Sequence, residues 1–144
     1  LPLVIVGTPG WKYSKILELI NNSKGVVHLQ NITDEEMNIL LFSQKICIYN
    51  SFSEGFGLPI IESMNFSKPI ITSNNSSMKE IGENFAILND PNDIEGLTNK
   101  MSKLIEDDEI YKLYSAKSLQ RSLDFSWDDC GKKTLDVYRK VSEN

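Results

Sequence analysis

The chain has 144 residues, of which 40% are hydrophobic and 24% charged, and its formal net charge is −5. This composition is typical of one soluble globular domain and excludes disordered and fibrous proteins. The acidic balance and the lack of clustered Lys and Arg argue against binding to nucleic acid, and no apolar run is long enough for a transmembrane segment.

Strands and helices are predicted in alternation from the first residues onward. Leu3 to Gly7 is an apolar run typical of a strand that is covered on both faces. Trp11 to Asn21 carries apolar residues at helical spacing, and Val26 to Leu29 predicts a second strand. Thr33 and Glu36 then form the capping box that opens a second helix.

The alternation continues through the middle of the chain. Ile46 to Tyr49 is a third predicted strand, the segment "GLPIIESM" is a helix, and "PIITS" is a fourth strand. Ser77 and Glu80 predict another capping box at the start of a short helix. Phe85 to Leu88 is the fifth predicted strand.

Every predicted element after Leu88 is a helix. Asp90 to Asp93 starts one, a second surrounds Leu113, and Ser126 can cap the last. The last helix has an apolar stripe that we expect to face the core, formed by Trp127, Cys130, Thr134, Tyr138 and Val141. Alternating strands and helices predict an α/β fold, a Rossmann-like doubly wound parallel sheet followed by C-terminal helices, in one domain over residues 1–144.

The loop "NSFSEGFGLP" after the third predicted strand holds the main candidate site. In a parallel α/β sheet, ligands bind beyond the carboxyl ends of the strands, where loops lead into helices. Gly55 and Gly57 let the main chain approach a ligand closely, and Pro59 suits a first helical turn. The unpaired N–H groups of such a turn predict a binding site for an anion such as phosphate.

Two carboxylates flank this turn, Glu54 before it and Glu62 near the helix start. A carboxylate near a helix N-terminus can simply stabilise the helix dipole. A carboxylate that accepts two hydroxyl hydrogen bonds can also bind the diol of a sugar, which suggests a ligand with sugars on both sides of a diphosphate. A hydrolytic acid and base pair is a third interpretation, although it leaves the glycine turn unexplained.

The remaining polar candidates have ordinary structural interpretations. His28, the one histidine of the sequence, lies inside a predicted strand and is expected to be a packed or edge-strand residue. Gln30 to Ile32 follow that strand and form either an ordinary loop or a nucleobase contact. Cys47 and Cys130 have no metal-ligand spacing and are expected to be reduced, structural residues.

The string "SEGFGLPIIESM" resembles the Glu-x7-Glu signature of the retaining nucleotide-sugar glycosyltransferases with the GT-B fold, the group 1 type. Further segments match the family in the same order along the chain, namely "KPIITSN", Glu80, "AILNDPND" and the "FSW" of Phe125 to Trp127. Three positions depart from the family pattern: Asn50 replaces Pro, Ser67 replaces Gly, and "NNSSMKE" replaces a Gly-Gly turn. The last of these resembles mannosyltransferase-like members.

The resemblance implies the donor-binding C-terminal half of a GT-B enzyme. By carry-over, Glu54 would be the catalytic residue and lie against the donor sugar, and Glu62 would accept hydrogen bonds from the ribose hydroxyls. The diphosphate would be bound by the main-chain N–H groups of the turn, which belong to Gly55, Phe56, Gly57 and Leu58. The implied donor is a UDP-, GDP- or ADP-sugar, with no cofactor and no metal, because protein hydrogen-bond donors stabilise the leaving diphosphate.

The same resemblance implies an N-terminal acceptor-binding domain and a first strand of the donor domain, both of which are expected to precede Leu1. We therefore expect this chain to be the donor-binding part of a longer enzyme and to be unable to turn over alone. The full enzyme is expected in the cytoplasm, peripheral at the inner membrane face. There it would transfer the sugar with retention to a polysaccharide or lipid-linked acceptor, as in capsular polysaccharide or lipopolysaccharide biosynthesis. The alternatives are an epimerase or phosphorylase relative and a non-catalytic nucleotide-sugar-binding module.

Overall fold

The computed structural model describes residues 1–142, where strands and helices alternate up to the fifth strand and three helices follow. The elements are β1 (Leu3–Val6), α1 (Ser14–Asn22), β2 (Val26–Leu29), α2 (Asp34–Ser43), β3 (Cys47–Tyr49), α3 (Leu58–Asn65), β4 (Ile70–Ser73), α4 (Ser76–Gly82), β5 (Ile87–Asn89), α5 (Ile94–Glu106), α6 (Asp108–Ser122) and α7 (Trp127–Ser142). Every strand pair in this range is parallel, which confirms the predicted α/β class.

The chain divides into two compact units, Leu1–Leu40 and a second that begins at Leu41. In the first unit β1 pairs with β2 in parallel, in a register that sets Leu3 opposite Val26. The prediction that β1 is covered on both faces was wrong, because Leu3 is 43% and Val4 38% exposed. In this unit α1 packs mainly against β2 and leaves β1 the more exposed of the two strands.

Helix starts in the first unit follow local hydrogen bonding. α1 begins at Ser14, three residues after the predicted start. The predicted capping box of α2 is confirmed, since the Thr33 N–H donates to Glu36 Oε2 at 2.8 Å and the Glu36 N–H donates to Thr33 Oγ1 at 3.2 Å. This reciprocal pair satisfies two of the N–H groups that a helix start leaves unbonded.

In the second unit, β4 lies between β3 and β5 in a parallel sheet. All four residues of β4 are buried. α3 and α4 both pack against this strand. The apolar side chains form one core cluster, which consists of Ile60, Ile61, Met64, Ile70, Met78, Ile81 and Ala86. Burial of these side chains from water is the main source of stability in this unit, and it places the loop between β3 and α3 beside a packed core.

Two predictions about the segment from α4 to β5 were wrong in detail. Ser77 does not cap α4, because the helix begins one residue earlier and the Ser77 hydroxyl donates to the carbonyl oxygen of Glu54 at 3.0 Å. β5 begins at Ile87, two residues later than predicted. The N–H groups of Phe85 and Ala86 instead donate to the Gly82 carbonyl oxygen at 3.0 and 2.7 Å, in the turn that ends α4.

The C-terminal helices begin at side-chain caps. The Gly96 N–H donates to Asp93 Oδ1 at 2.8 Å at the start of α5, and the Asp129 N–H donates to Ser126 Oγ at 3.3 Å at the start of α7, as predicted for Ser126. The prediction that the α7 stripe faces the core was wrong, because Trp127 is 79% and Tyr138 68% exposed. A stripe identifies the side of a helix that can be buried, and no residue of α7 is buried in the described range.

Candidate functional site

The turn that leads into α3 has the backbone geometry that its glycines allow. Gly57 is the N-cap of α3 and has φ +110°, in the left-handed region that strains any residue with a Cβ. A Cβ at Gly57 would also lie 3.2 Å from Ile60 Cδ1, a tight contact to which the end of the Ile60 side chain would have to yield. Pro59 occupies the first helical turn, where its missing N–H removes no hydrogen bond.

The N–H groups of this turn are the main chemical feature of the site. Those of Gly55, Phe56, Gly57 and Leu58 make no hydrogen bond within residues 1–142. They come in sequence at the start of an eight-residue helix, where the helix dipole is positive. Main-chain N–H groups of this kind are well suited to bind phosphate oxygens.

Glu54 lies at the start of this turn and is half-buried. Its carboxylate Oε1 accepts a hydrogen bond from the Tyr49 hydroxyl at 2.9 Å. Its own N–H donates to Ser76 Oγ at 3.4 Å, and its carbonyl oxygen accepts from Ser77. Glu54 is therefore fixed both along its main chain and at one carboxylate oxygen, while no residue of the described chain bonds to its Oε2.

The loop from Asn50 to Gly57, which we call the glycine loop, is held by side chains from the neighbouring strand and helix. Four of them donate hydrogen bonds to main-chain carbonyl oxygens between residues 49 and 54, from Thr72 to Tyr49 (2.8 Å), Ser73 to Ser51 (2.5 Å), Asn75 to Phe52 (3.0 Å) and Ser77 to Glu54 (3.0 Å). Each such bond contributes about 0.5–1.5 kcal/mol. Together they define the path of the loop before any ligand is bound.

Glu62 lies one turn into α3 and is exposed. Its carboxylate forms no hydrogen bond or ion pair with any described residue, which leaves both oxygens available to a ligand. Its charge and, above all, burial raise the pKa of the Cys47 thiol on β3. A thiol with a raised pKa is a poor nucleophile, which agrees with the structural role predicted for Cys47.

Aromatic contacts support the side chain of Phe56, which is about half exposed. Its ring meets that of Phe125 edge-on, with centroids 6.2 Å apart. The Arg121 guanidinium lies 4.8 Å from the Phe125 ring centroid and donates to the carbonyl oxygens of Ile81 and Glu80 at 3.1 and 3.2 Å. The "FSW" segment thus contributes Phe125 to the support of the glycine loop.

The sequence-predicted residues of the first unit have local structural roles. His28 Nε2 lies 2.8 Å from the Gly7 carbonyl oxygen, and its Nδ1 lies 3.4 Å from Gln30 Nε2. β2 is one of the two strands of its sheet, so within the first unit His28 is an edge-strand residue, one of the two positions predicted for it. Asn31 has φ +53°, a left-handed conformation that asparagine tolerates in turns. The nucleobase contact proposed for residues 30–32 stays a prediction.

Residues 1–142 contain neither a candidate metal-binding cluster nor a helix suited to crossing a membrane. No three His, Cys, Asp or Glu side chains in this range lie close enough together to hold a metal ion. None of its helices combines the length and the apolarity that crossing a membrane requires.

Sequence reasoning missed the residues that hold Glu54 in place. Tyr49 was identified as a strand residue, and the segment "NNSSMKE" only as a departure from a Gly-Gly turn. That departure was nevertheless a signal, because Ser76 has φ +46° in a region that favours glycine. Its hydroxyl also accepts the hydrogen bond from the Glu54 N–H. Hydrogen bonds between residues about twenty apart in sequence have no periodicity that a pattern search can detect.

Comparison with known proteins identifies sequence relatives over most of the chain. A family model described as "Glycosyl transferases group 1" matches residues 1–121. O-antigen chain mannosyltransferase B of Escherichia coli is 29% identical, over 96% of this chain and 37% of that protein. The MMP alpha-(1->4)-mannosyltransferase of Mycolicibacterium hassiacum is 29% identical, over 98% of this chain and 35% of that protein. The chain thus spans little more than a third of the length of these relatives.

Solved structures share its fold. HepE of Anabaena, in complex with UDP-glucose, is 19% identical with a TM-score of 0.84, over 96% of this chain and 41% of that chain. The C-terminal domain of a glycosyl transferase group 1 family protein from Francisella tularensis is 18% identical with a TM-score of 0.75, over 85% of this chain and 68% of that chain. This likeness confirms the predicted fold class.

Proposed function

The chain belongs to the group 1 glycosyl transferases, and on this basis we propose that it is the nucleotide-sugar-binding part of a retaining glycosyltransferase. The observation that carries the proposal is the run of four unbonded N–H groups at Gly55 to Leu58, flanked by the carboxylates of Glu54 and Glu62. A nucleoside-diphosphate sugar has a matching order of groups, with a diphosphate between a ribose and a second sugar. Residues 1–144 would form this donor-binding domain within a longer enzyme.

Each part of the site takes one part of the donor in this proposal. The N–H groups of the turn bind the diphosphate, with the positive end of the α3 dipole behind them. The free carboxylate of Glu62 accepts hydrogen bonds from the ribose hydroxyls, and Glu54 lies against the transferred sugar as the catalytic residue. When the glycosidic bond breaks, the same N–H groups stabilise the negative charge that develops on the leaving diphosphate. Transfer then needs no metal ion.

We further propose mannose as the transferred sugar and a surface polysaccharide or glycolipid as the acceptor. The two relatives described above are named as mannosyltransferases, and one of them by its O-antigen chain. The Ser76-Ser77 sequence before Glu80 resembles mannosyltransferase-like members in the same segment. The names of these relatives specify a sugar and no base, so the nucleotide is to be assigned by experiment.

Isothermal titration calorimetry with a panel of UDP-, GDP- and ADP-sugars and the bare diphosphates tests the proposal. We expect one nucleoside diphosphate to bind measurably and its mannose conjugate to bind more tightly than its glucose conjugate. Absence of binding by every nucleoside diphosphate, to a chain whose far-UV circular dichroism shows an α/β fold, would refute the nucleotide site. A preference for another sugar would refute the mannose assignment alone.

The variant Glu62→Ala tests the assignment of the ribose contact. We expect the affinity for the nucleoside diphosphate to fall about ten- to a hundred-fold, because hydrogen bonds to a charged acceptor are lost. The affinity for inorganic pyrophosphate should stay nearly unchanged, because it has no ribose. Glu95→Ala is the matched control, since Glu95 is exposed in the first turn of α5. An equal loss for pyrophosphate would mean that Glu62 acts through general electrostatics.

A further inference from the structure

Tyr49 forms the one side-chain hydrogen bond that the structure shows to the carboxylate of Glu54. It is the last residue of β3, and its hydroxyl donates to Glu54 Oε1 at 2.9 Å. We infer that Tyr49 is a positioning residue, which holds the Glu54 carboxylate in the orientation that contacts the donor sugar. The inference rests on the proposed function, because it needs Glu54 to meet the sugar.

The tyrosine itself is well anchored. Its ring packs against the core cluster of the second unit. Its carbonyl oxygen accepts the hydrogen bond from Thr72 Oγ1 at 2.8 Å, and Thr72 is fully buried opposite Tyr49 in the register of β3 and β4. A phenol on a packed ring has two side-chain torsions, both restricted here by the sheet and the core. Its hydroxyl therefore provides a fixed point to which a flexible glutamate can bond.

The hydroxyl of Tyr49 stays protonated and can therefore always donate its hydrogen bond. Burial raises the pKa of the phenol above its ordinary value, and the neighbouring Glu54 carboxylate raises it further. The hydroxyl therefore stays protonated throughout the neutral range. A carboxylate oxygen that accepts from a protonated phenol is held in one rotamer, while Oε2 retains its capacity to accept from a sugar hydroxyl.

This arrangement separates Tyr49 from the diphosphate site. The N–H groups of residues 55–58 belong to the main chain, and the loop that carries them is held by bonds from Ser73, Asn75 and Ser77. Loss of the Tyr49 hydroxyl removes none of these bonds. Tyr49 should therefore affect the binding of the sugar and leave the binding of the nucleoside diphosphate as it is.

The variant Tyr49→Phe tests this separation by calorimetry on the chain. We expect about a tenfold loss of affinity for the preferred nucleoside-diphosphate sugar, because a hydrogen bond to a charged group no longer orients Glu54. The affinity for the bare nucleoside diphosphate should change less than about twofold. Tyr111→Phe is the matched control, since Tyr111 is also half-buried and its hydroxyl has no hydrogen bond among the described residues. Thermal melting of both variants checks that each remains folded.

A double-mutant cycle with Glu54→Ala distinguishes action through Glu54 from a general packing effect. If Tyr49 acts through Glu54, the change Tyr49→Phe has no further effect on sugar affinity once Glu54 is alanine. Additive losses, or equal losses for sugar and bare diphosphate, would overturn the inference and leave the nucleotide site standing. A wild-type chain that gains no affinity from the sugar would overturn it as well. Failure to bind any nucleoside diphosphate would instead refute the proposed function and the inference together.

Discussion

Strands β4 and β1 are both four-residue strands that begin with branched aliphatic residues, but their surroundings differ. "IITS" in β4 and "LVIV" in β1 are both short runs rich in branched aliphatic residues, which favour strands. All residues of β4 are buried, whereas three of the four in β1 are exposed. β4 has a strand on each edge and α3 and α4 packed against it, whereas β1 pairs only with β2 within its unit. A strand's sequence thus predicts its conformation, but its neighbours determine its burial.

The largest expected effect comes from shortening one buried side chain in β4 and one exposed side chain in β1. Ile71→Ala should lower the free energy of unfolding by about 2–5 kcal/mol, because Ile71 is fully buried and its removal leaves a cavity. Leu3→Ala removes a side chain of similar size that is 43% exposed, and should cost roughly 1 kcal/mol or less. Urea unfolding followed by circular dichroism measures both. Equal losses would contradict the different burial of the two strands.

The same reasoning explains how far the fold was predictable. The order of elements and the capping residues of α2 and α7 were correct, because they depend on residues within one turn of each other. The predictions that β1 and the α7 stripe are buried were wrong, since burial depends on elements distant in sequence. The predicted start of β5 was also wrong, because it depends on a hydrogen bond to a residue outside the strand. The Gly82 carbonyl captures the N–H groups that a strand starting at Phe85 would have used.

The second test compares two glycines, one beside the covered core and one on an exposed helix. Gly57→Ala should lower the free energy of unfolding by about 1–3 kcal/mol, because φ is +110° and the new Cβ would press on Ile60. Gly131→Ala should raise it by about 0.5–1 kcal/mol, because Gly131 lies inside α7 with open space around it. The same urea titrations give both values. If both variants changed the free energy of unfolding in the same direction, backbone conformation would not determine the effect of adding a Cβ.

The candidate site was partly predictable for the same physical reason. The glycine loop, Pro59 and the two glutamates are adjacent in sequence, so their chemistry could be recognised together. The side chains that hold the loop come from β4 and α4 and bond to residues about twenty positions earlier. Tyr49 was recognisable only as a strand residue, because its bond to Glu54 depends on how the loop turns back. Family resemblance suggested roles for Glu54 and Glu62, and those roles stay predictions until ligands are measured.

The smallest expected effect concerns the turn between α3 and β4, where Ser67 has φ +57°. The Lys68 N–H donates to the Ser63 carbonyl oxygen at 3.2 Å and the Ser67 N–H to that of Met64 at 2.9 Å, a helix end that prefers glycine at the position of Ser67. Ser67→Gly should therefore raise the free energy of unfolding by up to about 1 kcal/mol, since relief of strain exceeds the entropy that glycine loses.

Lys12→Gly is the control for Ser67→Gly in the exposed first unit, because Lys12 also has a left-handed φ, of +58°. Its ammonium lies 4.3 Å from the centroid of the Trp11 ring, and glycine would remove that contact. Such exposed contacts contribute about 0.5–1 kcal/mol, so the net gain should be close to zero. Thermal and urea unfolding of the two variants measure the difference. If Lys12→Gly raised the free energy of unfolding more than Ser67→Gly, the contact between Lys12 and Trp11 would contribute less stability than expected for an exposed pair.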